Sequence, residues 1–315
     1  MRTRHASVRM AAQAALVGTA FLSSLAASAP ARGEDRTGLA AATGSPRFLQ
    51  RPDGRLAYDD VGAGPLVVMV PGLGDLRAEY RYLAPRLVQA GYRVVTLDLR
   101  GHGQSSVGWP DYTSAALGSD VVALVRHLDA GPAHLVGTSM GAAAVAWAAA
   151  EAPDQVGSLA LIGPFVRDIP PASAFKAALQ QAMLRIGFAG PWAARAWGMA
   201  YGSFYAMKPA DFAPYKDALV ANLREPGRLD AVKGMIFASK SDVEARLPEV
   251  QSPTLVIMGE ADPDFADPRG EAETVARLLR GAVHMVPGAG HYPHVEAPDL
   301  VAPALLQFLR GQGRA

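Results

Sequence analysis

The sequence predicts an α/β fold, a mostly parallel doubly wound sheet carrying a helical cap insertion, and three observations support it. Short runs that are apolar on both faces recur at residues 65–70, 92–97, 133–136, 158–162, 253–258 and 283–286, as strands of a parallel sheet covered by helices must be. Between most of them lie segments with helical spacing of apolar residues, so strand and helix alternate and right-handed crossovers follow. At Gly137-Thr138-Ser139-Met140-Gly141 a strand runs into an alanine-rich helix through a sharp turn. Such a turn pushes its serine hydroxyl out at the end of the sheet and leaves room only for very small residues at its flanks.

Taken in order, residues 48–60 place a turn at Pro52-Asp53-Gly54 between two extended pieces, a hairpin at the sheet edge. Strand 65–70 feeds directly into the loop Pro71-Gly72-Leu73-Gly74-Asp75. Segment 79–90 carries Tyr82, Leu83, Leu87 and Ala90 at helical spacing and stops at Gly91. Strand 92–97, a loop over 98–105 and a helix over 114–128 follow, with Ala116, Val121, Leu124, Val125 and Leu128 as the buried face. Strand, elbow and helix around Ser139 come next, then strand 158–162.

From residue 163 to about 250 the rhythm breaks. The segment is helical and aromatic, with Phe175, Phe188, Trp192, Trp197, Tyr201, Phe204, Tyr205, Phe212 and Tyr215, most of which an ordinary core would also hold. An insertion of this length must rest on something, and the sheet ends that present Ser139 are the available place. Residues 164–250 therefore read as a cap that forms the substrate pocket, and residues 47–163 and 251–315 as the core. The sheet resumes at 253–258, followed by a helix over 266–279, a last strand at 283–286 and a last helix over 298–309.

The first 46 residues stand apart. Arg2, Arg4 and Arg9 precede an uncharged, alanine- and leucine-rich stretch ending in small residues, the layout of a secretory signal peptide over residues 1–29, with 30–46 as a linker. Export is expected, to the periplasm or the medium. The stretch is only marginally apolar for a span, so no stable membrane span is expected in the mature protein. The chain has 315 residues, half of them hydrophobic, and a formal net charge of +1. That is enough apolar material for a sizeable core, and no basic stripe marks nucleic acid as a partner. Cysteine is absent, which excludes disulfides, thiolate metal sites and a cysteine nucleophile together.

A serine hydroxyl needs a base within reach. Of the seven histidines, His291 stands out, in a loop just past the last strand, at the sheet end where Ser139 emerges. The third partner should be a carboxylate that fixes the imidazole tautomer. Asp262, after strand 253–258, is the first candidate; Asp264 is the rival, with Glu260 and Asp168 behind it. An oxyanion hole needs two convergent N–H donors. Met140, the residue after the nucleophile, supplies one, and Leu73, in the glycine loop opposite, the other. The histidines and acids lack ligand spacing, so neither a metal nor another cofactor is implied.

The loop Pro71 to Asp75, the turn Asp98-Leu99-Arg100-Gly101-His102-Gly103-Gln104-Ser105, the elbow, the acid loop and the segment Gly290-His291-Tyr292-Pro293-His294-Val295-Glu296 occur in order over about residues 47–310. Together they resemble the α/β-hydrolase superfamily, in its serine-nucleophile branch. The resemblance maps Ser139, Asp262 and His291 onto a catalytic triad, and Leu73 and Met140 onto the oxyanion hole. It implies cleavage of a small acyl substrate through an acyl-enzyme, a carboxylic ester first of all. Carbon–carbon, amide or thioester cleavage and cofactor-free peracid formation use the same triad, and a ligand-binding protein of the same fold is the reading from another class. His102 and His294 match family positions that are usually structural. One departure is Pro71-Gly72 where many relatives have His-Gly, so the bonds that such a histidine makes must be replaced.

Overall fold

A computed structural model describes residues 46–169, 182 and 185–312. The expected leader, the linker up to residue 45 and Phe175 lie outside the described residues.

Eight strands form one sheet in the order β1-β2-β4-β3-β5-β6-β7-β8. The edge hairpin is β1 (Arg47–Arg51) and β2 (Gly54–Val61), paired antiparallel, and β2 also runs antiparallel to β4 (Arg93–Leu97). From β4 onward every pairing is parallel, through β3 (Leu66–Val70), β5 (Ala133–Thr138), β6 (Val156–Ile162), β7 (Thr254–Gly259) and β8 (Ala282–Val286). The chain steps from β3 to β4 on one side and then crosses back to β5 on the other side of β3, so the loops after β3 and β5 meet at the carboxyl ends of adjacent strands, where such sheets bind ligands.

Alternate residues of each strand serve opposite faces. Val68, Val70, Val95, Leu135, Leu161 and Val256 belong to one buried cluster, beneath α2 (Ser114–Leu128), α3 (Met140–Glu151) and a later helix, Pro268–Leu278. Val67, Met69, Val94, Val136, Ile162 and Ile257 belong to the other, beneath α1 (Ala84–Gln89) and the last helix, Pro298–Gly311. Helix α3 is apolar nearly all round because it is buried nearly all round. Its small residues let α2 approach closely; a Cβ at Gly118 of α2 would lie 2.9 Å from the Ala144 carbonyl oxygen.

One expected helix is divided. Segment 79–90 forms a 3₁₀ turn, Arg77–Tyr82, followed by the short α1, which has a proline in its first turn. Pro85 lacks the N–H that would continue an i→i−4 ladder from the turn before it, so the chain restarts there. The break leaves Glu79 and Tyr80 fully buried under the glycine loop. Among the described residues from 164 to 250 the regular elements are helical: α4 (Ala193–Tyr201), α5 (Phe212–Leu223), α6 (Arg228–Ile236) and the single turn α7 (Ser241–Glu244), besides one 3₁₀ turn. After β7 come α8 (Pro268–Leu278), the single turn α9 (Pro293–Glu296) and α10 (Pro298–Gly311).

The elbow between β5 and α3 rests on two glycines. A Cβ at Gly141 would lie 2.2 Å from the Val70 carbonyl oxygen and 2.5 Å from that of Pro71, and one at Gly137 would lie 2.5 Å from the Gly141 carbonyl oxygen. These are backbone atoms at the end of β3, in the residue after it and in α3, which cannot rotate away. Gly141→Ala is expected to lower stability in urea unfolding by about 1–3 kcal/mol or more, as overpacking against rigid atoms does. A variant with unchanged stability would show that the two segments are not in contact.

Candidate active site

Ser139 sits at the Ncap of α3 with φ 53° and ψ −114°, a backbone conformation that L-residues rarely adopt. It is held there from both sides. Its N–H donates to the Ile162 carbonyl at 2.9 Å, and its own carbonyl accepts from Ala142 at 3.1 Å and Phe165 at 3.3 Å. The side chain emerges at the carboxyl end of β5, over the first turn of α3, where unpaired N–H groups carry the positive end of the helix dipole. Met140 is the first residue of that turn.

His291 follows β8 and is held from the insertion between β6 and β7, its N–H donating to the Phe204 carbonyl at 2.8 Å. Its Nδ1 lies 2.8 Å from Oδ2 of Asp262, and both residues are buried. Asp264 approaches the same nitrogen at 3.5 Å and keeps a quarter of its side chain exposed. The structure thus gives Asp262 the hydrogen bond and Asp264 a flanking position, from which its N–H donates to Asp262 Oδ1 at 3.0 Å. Burial alone would depress the imidazole pKa. The Asp262 and Asp264 charges outweigh it and hold His291 above the ordinary histidine range. Asp264 is itself raised, by desolvation and by the Asp262 charge, against the pull of His291. The other two acids stand elsewhere: Glu260 pairs with Arg269 at the surface, and Asp168 accepts from Lys240 N–H and the Ser239 hydroxyl.

The Ser139 hydroxyl and the imidazole make no direct hydrogen bond in this structure. They share neighbours: Phe165, bonded to the Ser139 carbonyl, has its ring 5.9 Å from that of His291 and stacks on Phe265. A Cβ at Gly163 would touch the imidazole at 3.0 Å, so the residue after β6 must be small for the histidine to stand beside the elbow.

The glycine loop faces the elbow, with a Cβ at Gly72 only 3.4 Å from that of Ser139. Its bonds explain how the loop does without a histidine at position 71. The Gly72 N–H donates to Glu79 Oε2 at 2.8 Å, and the Gly74 N–H to His102 Nε2 at 3.0 Å. Burial drives His102 down to about 4, so the ring is neutral, accepting at Nε2 and donating from Nδ1 to the Arg100 carbonyl 3.0 Å away. With both neighbours committed, the N–H between them is that of Leu73. Neither it nor the Met140 N–H has a partner among the described residues.

Two buried acids that the sequence reading passed over organise this loop. Asp75 accepts from Tyr201 at 2.7 Å and Tyr215 at 3.0 Å, both from the insertion, and from Tyr292, next to His291, at 2.7 Å. Glu79 holds Gly72 and lies 2.9 Å from His294 Nε2, without the alignment of a hydrogen bond. Burial pushes both acids up to about 7 and His294 down to about 3. Desolvation is the largest influence on both, so His294 stays neutral and Glu79 keeps its proton below about pH 7. The signal for these acids was available as two carboxylates in a short stretch after an apolar strand. The tyrosine partners of Asp75, 126 to 217 residues away, were not. The insertion also lies over the loop itself: a Cβ at Gly74 would strike the Trp197 indole at 2.6 Å.

Asp262, Asp264 and His291 could each turn one ligand atom toward a common cation. Nδ1 and Asp262 Oδ2, however, face each other directly at hydrogen-bond distance, an arrangement that orients an imidazole as a base.

The chain matches the family model described as alpha/beta hydrolase fold over residues 65–298. It is 28% identical over 271 residues to a pyrrolizixenacetamide deacetylase of Xenorhabdus hominickii, covering 82% of this chain and 95% of that one. It superposes at TM-score 0.70 on a hydrolase from Pseudomonas aeruginosa PA01, with 28% identity over 84% of this chain and 98% of that one. A thermophilic esterase from Thermogutta terrifontis, solved with malate bound, shares the fold at TM-score 0.72 and 24% identity, over 85% and 99% of the two chains.

The raised carboxyl of Glu79 has a thermodynamic sign. Between its ordinary value of 4.5 and its folded value of about 7, the folded state holds a proton that the unfolded chain has released. Its contribution is therefore complete below about pH 4.5 and lost as pH rises through 7. Glu79→Gln keeps an acceptor for Gly72 and cannot titrate. Compared by urea unfolding at pH 5 and pH 8, it is expected to lose less stability than the parent, by on the order of 1–3 kcal/mol. Equal losses in the two proteins would refute the assignment.

Proposed function

Since this chain belongs to the α/β-hydrolase fold family, we propose that it is a serine hydrolase that cleaves a small carboxylic ester, or a related acyl compound, through an acyl-enzyme. The observation that supports this best is the buried 2.8 Å bond between His291 Nδ1 and Asp262, beside a strained serine at the same end of the sheet. It fixes the tautomer that leaves Nε2 as the base, and a protein that only bound ligand would have no need of it.

In this reading Ser139 attacks the substrate carbonyl while His291 takes its proton. The carbonyl oxygen, as it gains charge, is received by the N–H groups of Leu73 and Met140, helped by the α3 dipole. Collapse expels the alcohol, protonated by His291, which then activates the water that releases the acid. Leu73, Phe165, Trp197 and Phe204, gathered around the loops, form an apolar, aromatic wall suited to a compact acyl group. Residues 1–29 are proposed to direct export.

Hydrolysis of short p-nitrophenyl esters tests the proposal. Ser139→Ala is expected to lose at least about 10³-fold in kcat/KM, and Asp262→Asn about 10²–10⁴-fold. The parent's kcat/KM should rise with pH to a midpoint above about 6.5, because the two carboxylates favour the imidazolium. Asp264→Asn removes one of them and should move that midpoint downward while retaining most of the plateau rate. Activity that survives Ser139→Ala would sink the mechanism, and a midpoint unmoved in Asp264→Asn would remove Asp264 from the electrostatics of the base.

A further inference from the structure

From residue 169 to residue 210 the chain has no Asp or Glu and four cations, Lys176, Arg185, Arg195 and Lys208. The whole chain carries only +1, so positive charge is concentrated in this part of the insertion and the remainder is net negative. Its helix α4 has two unlike faces. Ala193, Ala194, Trp197, Gly198 and Tyr201 are buried, with Trp197 over the glycine loop at Gly74 and Gly198 against Val220 of α5. Trp192, Arg195 and Met199, spaced three and four apart, share the other face and are exposed.

That outer face is apolar where the solvent side of a globular helix is polar. Trp192 is 47% exposed, Met199 45% and Ile186 60%. Ile186 adjoins the helix, its carbonyl accepting the Trp192 indole N–H at 3.4 Å. Lys208 stands at the other end, its Nζ 3.5 Å from where a Gly202 Cβ would lie, beside the Met199 carbonyl. Arg185, Arg195 and Lys208 are exposed, and none of them pairs with a carboxylate among the described residues. The acids that follow in the chain are committed elsewhere: Asp211 is bound through two nitrogens of Arg81, and Asp217 lies 3.2 Å from Lys216. Large apolar side chains framed by unpaired cations match the chemistry of a bilayer interface that carries negative headgroups.

We propose that the outer face of α4, together with Ile186 and Lys208, docks on an anionic phospholipid surface. Ile186, Trp192 and Met199 enter the boundary between headgroups and acyl chains, while Arg185, Arg195 and Lys208 meet the lipid phosphates. A second copy of the chain fits this face less well, because a two-fold contact would set the three cations against the same three. A stable protein interface also asks for about 800 Å² from each partner, and three large apolar side chains offer less. Docking does not depend on the reaction proposed for Ser139, but the inner face of α4 lies on the glycine loop, so the bilayer would stand over that site.

The test titrates full-length protein with vesicles of phosphatidylglycerol mixed into phosphatidylcholine, and of phosphatidylcholine alone, the acyl chains brominated to quench an inserted indole. Saturable binding to the anionic vesicles is expected, at least about tenfold weaker on the neutral ones, with quenching that Trp192→Phe removes while the affinity stays within about threefold. The combined variant Arg185→Gln, Arg195→Gln and Lys208→Gln should bind roughly 10²-fold more weakly, at about fivefold per cation. Ile186→Ser with Met199→Ser should weaken binding at least about tenfold through lost apolar insertion. All of these positions are exposed, and residues 1–29 are common to every variant, so binding through that basic leader would leave the affinities alike. No binding, equal binding to the two vesicle types, quenching that persists in Trp192→Phe, or parental affinity in the triple variant would each overturn the proposal. So would a dimer in sedimentation that Ile186→Ser with Met199→Ser dissolves, which would give the face to a second copy.

Discussion

Three separate parts of the chain converge on the carboxylate of Asp75. Tyr201 and Tyr215 arrive from the inserted helices and Tyr292 from the loop that carries His291, while Asp75 itself belongs to the glycine loop that presents Leu73. A fully buried carboxyl is costly to desolvate unless it is well bonded, and a network with every member satisfied is stiffer than its separate bonds. Moving any one of the three segments would strand a hydroxyl or an oxygen in an apolar interior. The insertion, the glycine loop and the histidine loop are thus positioned against one another by one side chain, although they meet nowhere in the sequence.

The same logic accounts for the missing histidine before Gly72. Work that a single side chain in the loop could do is divided between Glu79, which holds Gly72, and His102, which holds Gly74. Both come from outside the loop. Burial keeps the His102 ring neutral and raises Glu79 to about 7, so a proton on Glu79 below that pH removes a negative charge that would oppose charge developing on a substrate oxygen. The break of the expected helix at Pro85 has the same consequence at a lower level, since the 3₁₀ turn is what carries Glu79 beneath the loop.

What the sequence makes legible is whatever depends on neighbours in the chain. Gly137 and Gly141 announce the elbow because a Cβ there meets backbone atoms, and no flexible partner can relieve the clash. Runs apolar on both faces announce buried parallel strands, and the residues just past their ends name His291 and Asp262. Choosing Asp262 over Asp264 needed coordinates, because two residues on one short loop differ by less than 1 Å in their distance to Nδ1. The tyrosine–Asp75 node and the Glu79–His294 contact were illegible for a different reason: each joins segments brought together only by the finished fold. Tyr201, Tyr205 and Tyr215 read as ordinary core residues, and by burial they are; what distinguishes them is where their hydroxyls end.

In the proposed mechanism the carboxylates around His291 also divide the labour of a base and its support. Asp262 makes the directional bond, and direction is what selects the tautomer. Asp264, a little farther away and partly in water, contributes charge without geometry. A second negative charge stabilises the imidazolium formed when serine loses its proton, and it also makes the resting base easier to protonate. The arrangement therefore exchanges occupancy of the free base near neutrality for a stronger base once it is free.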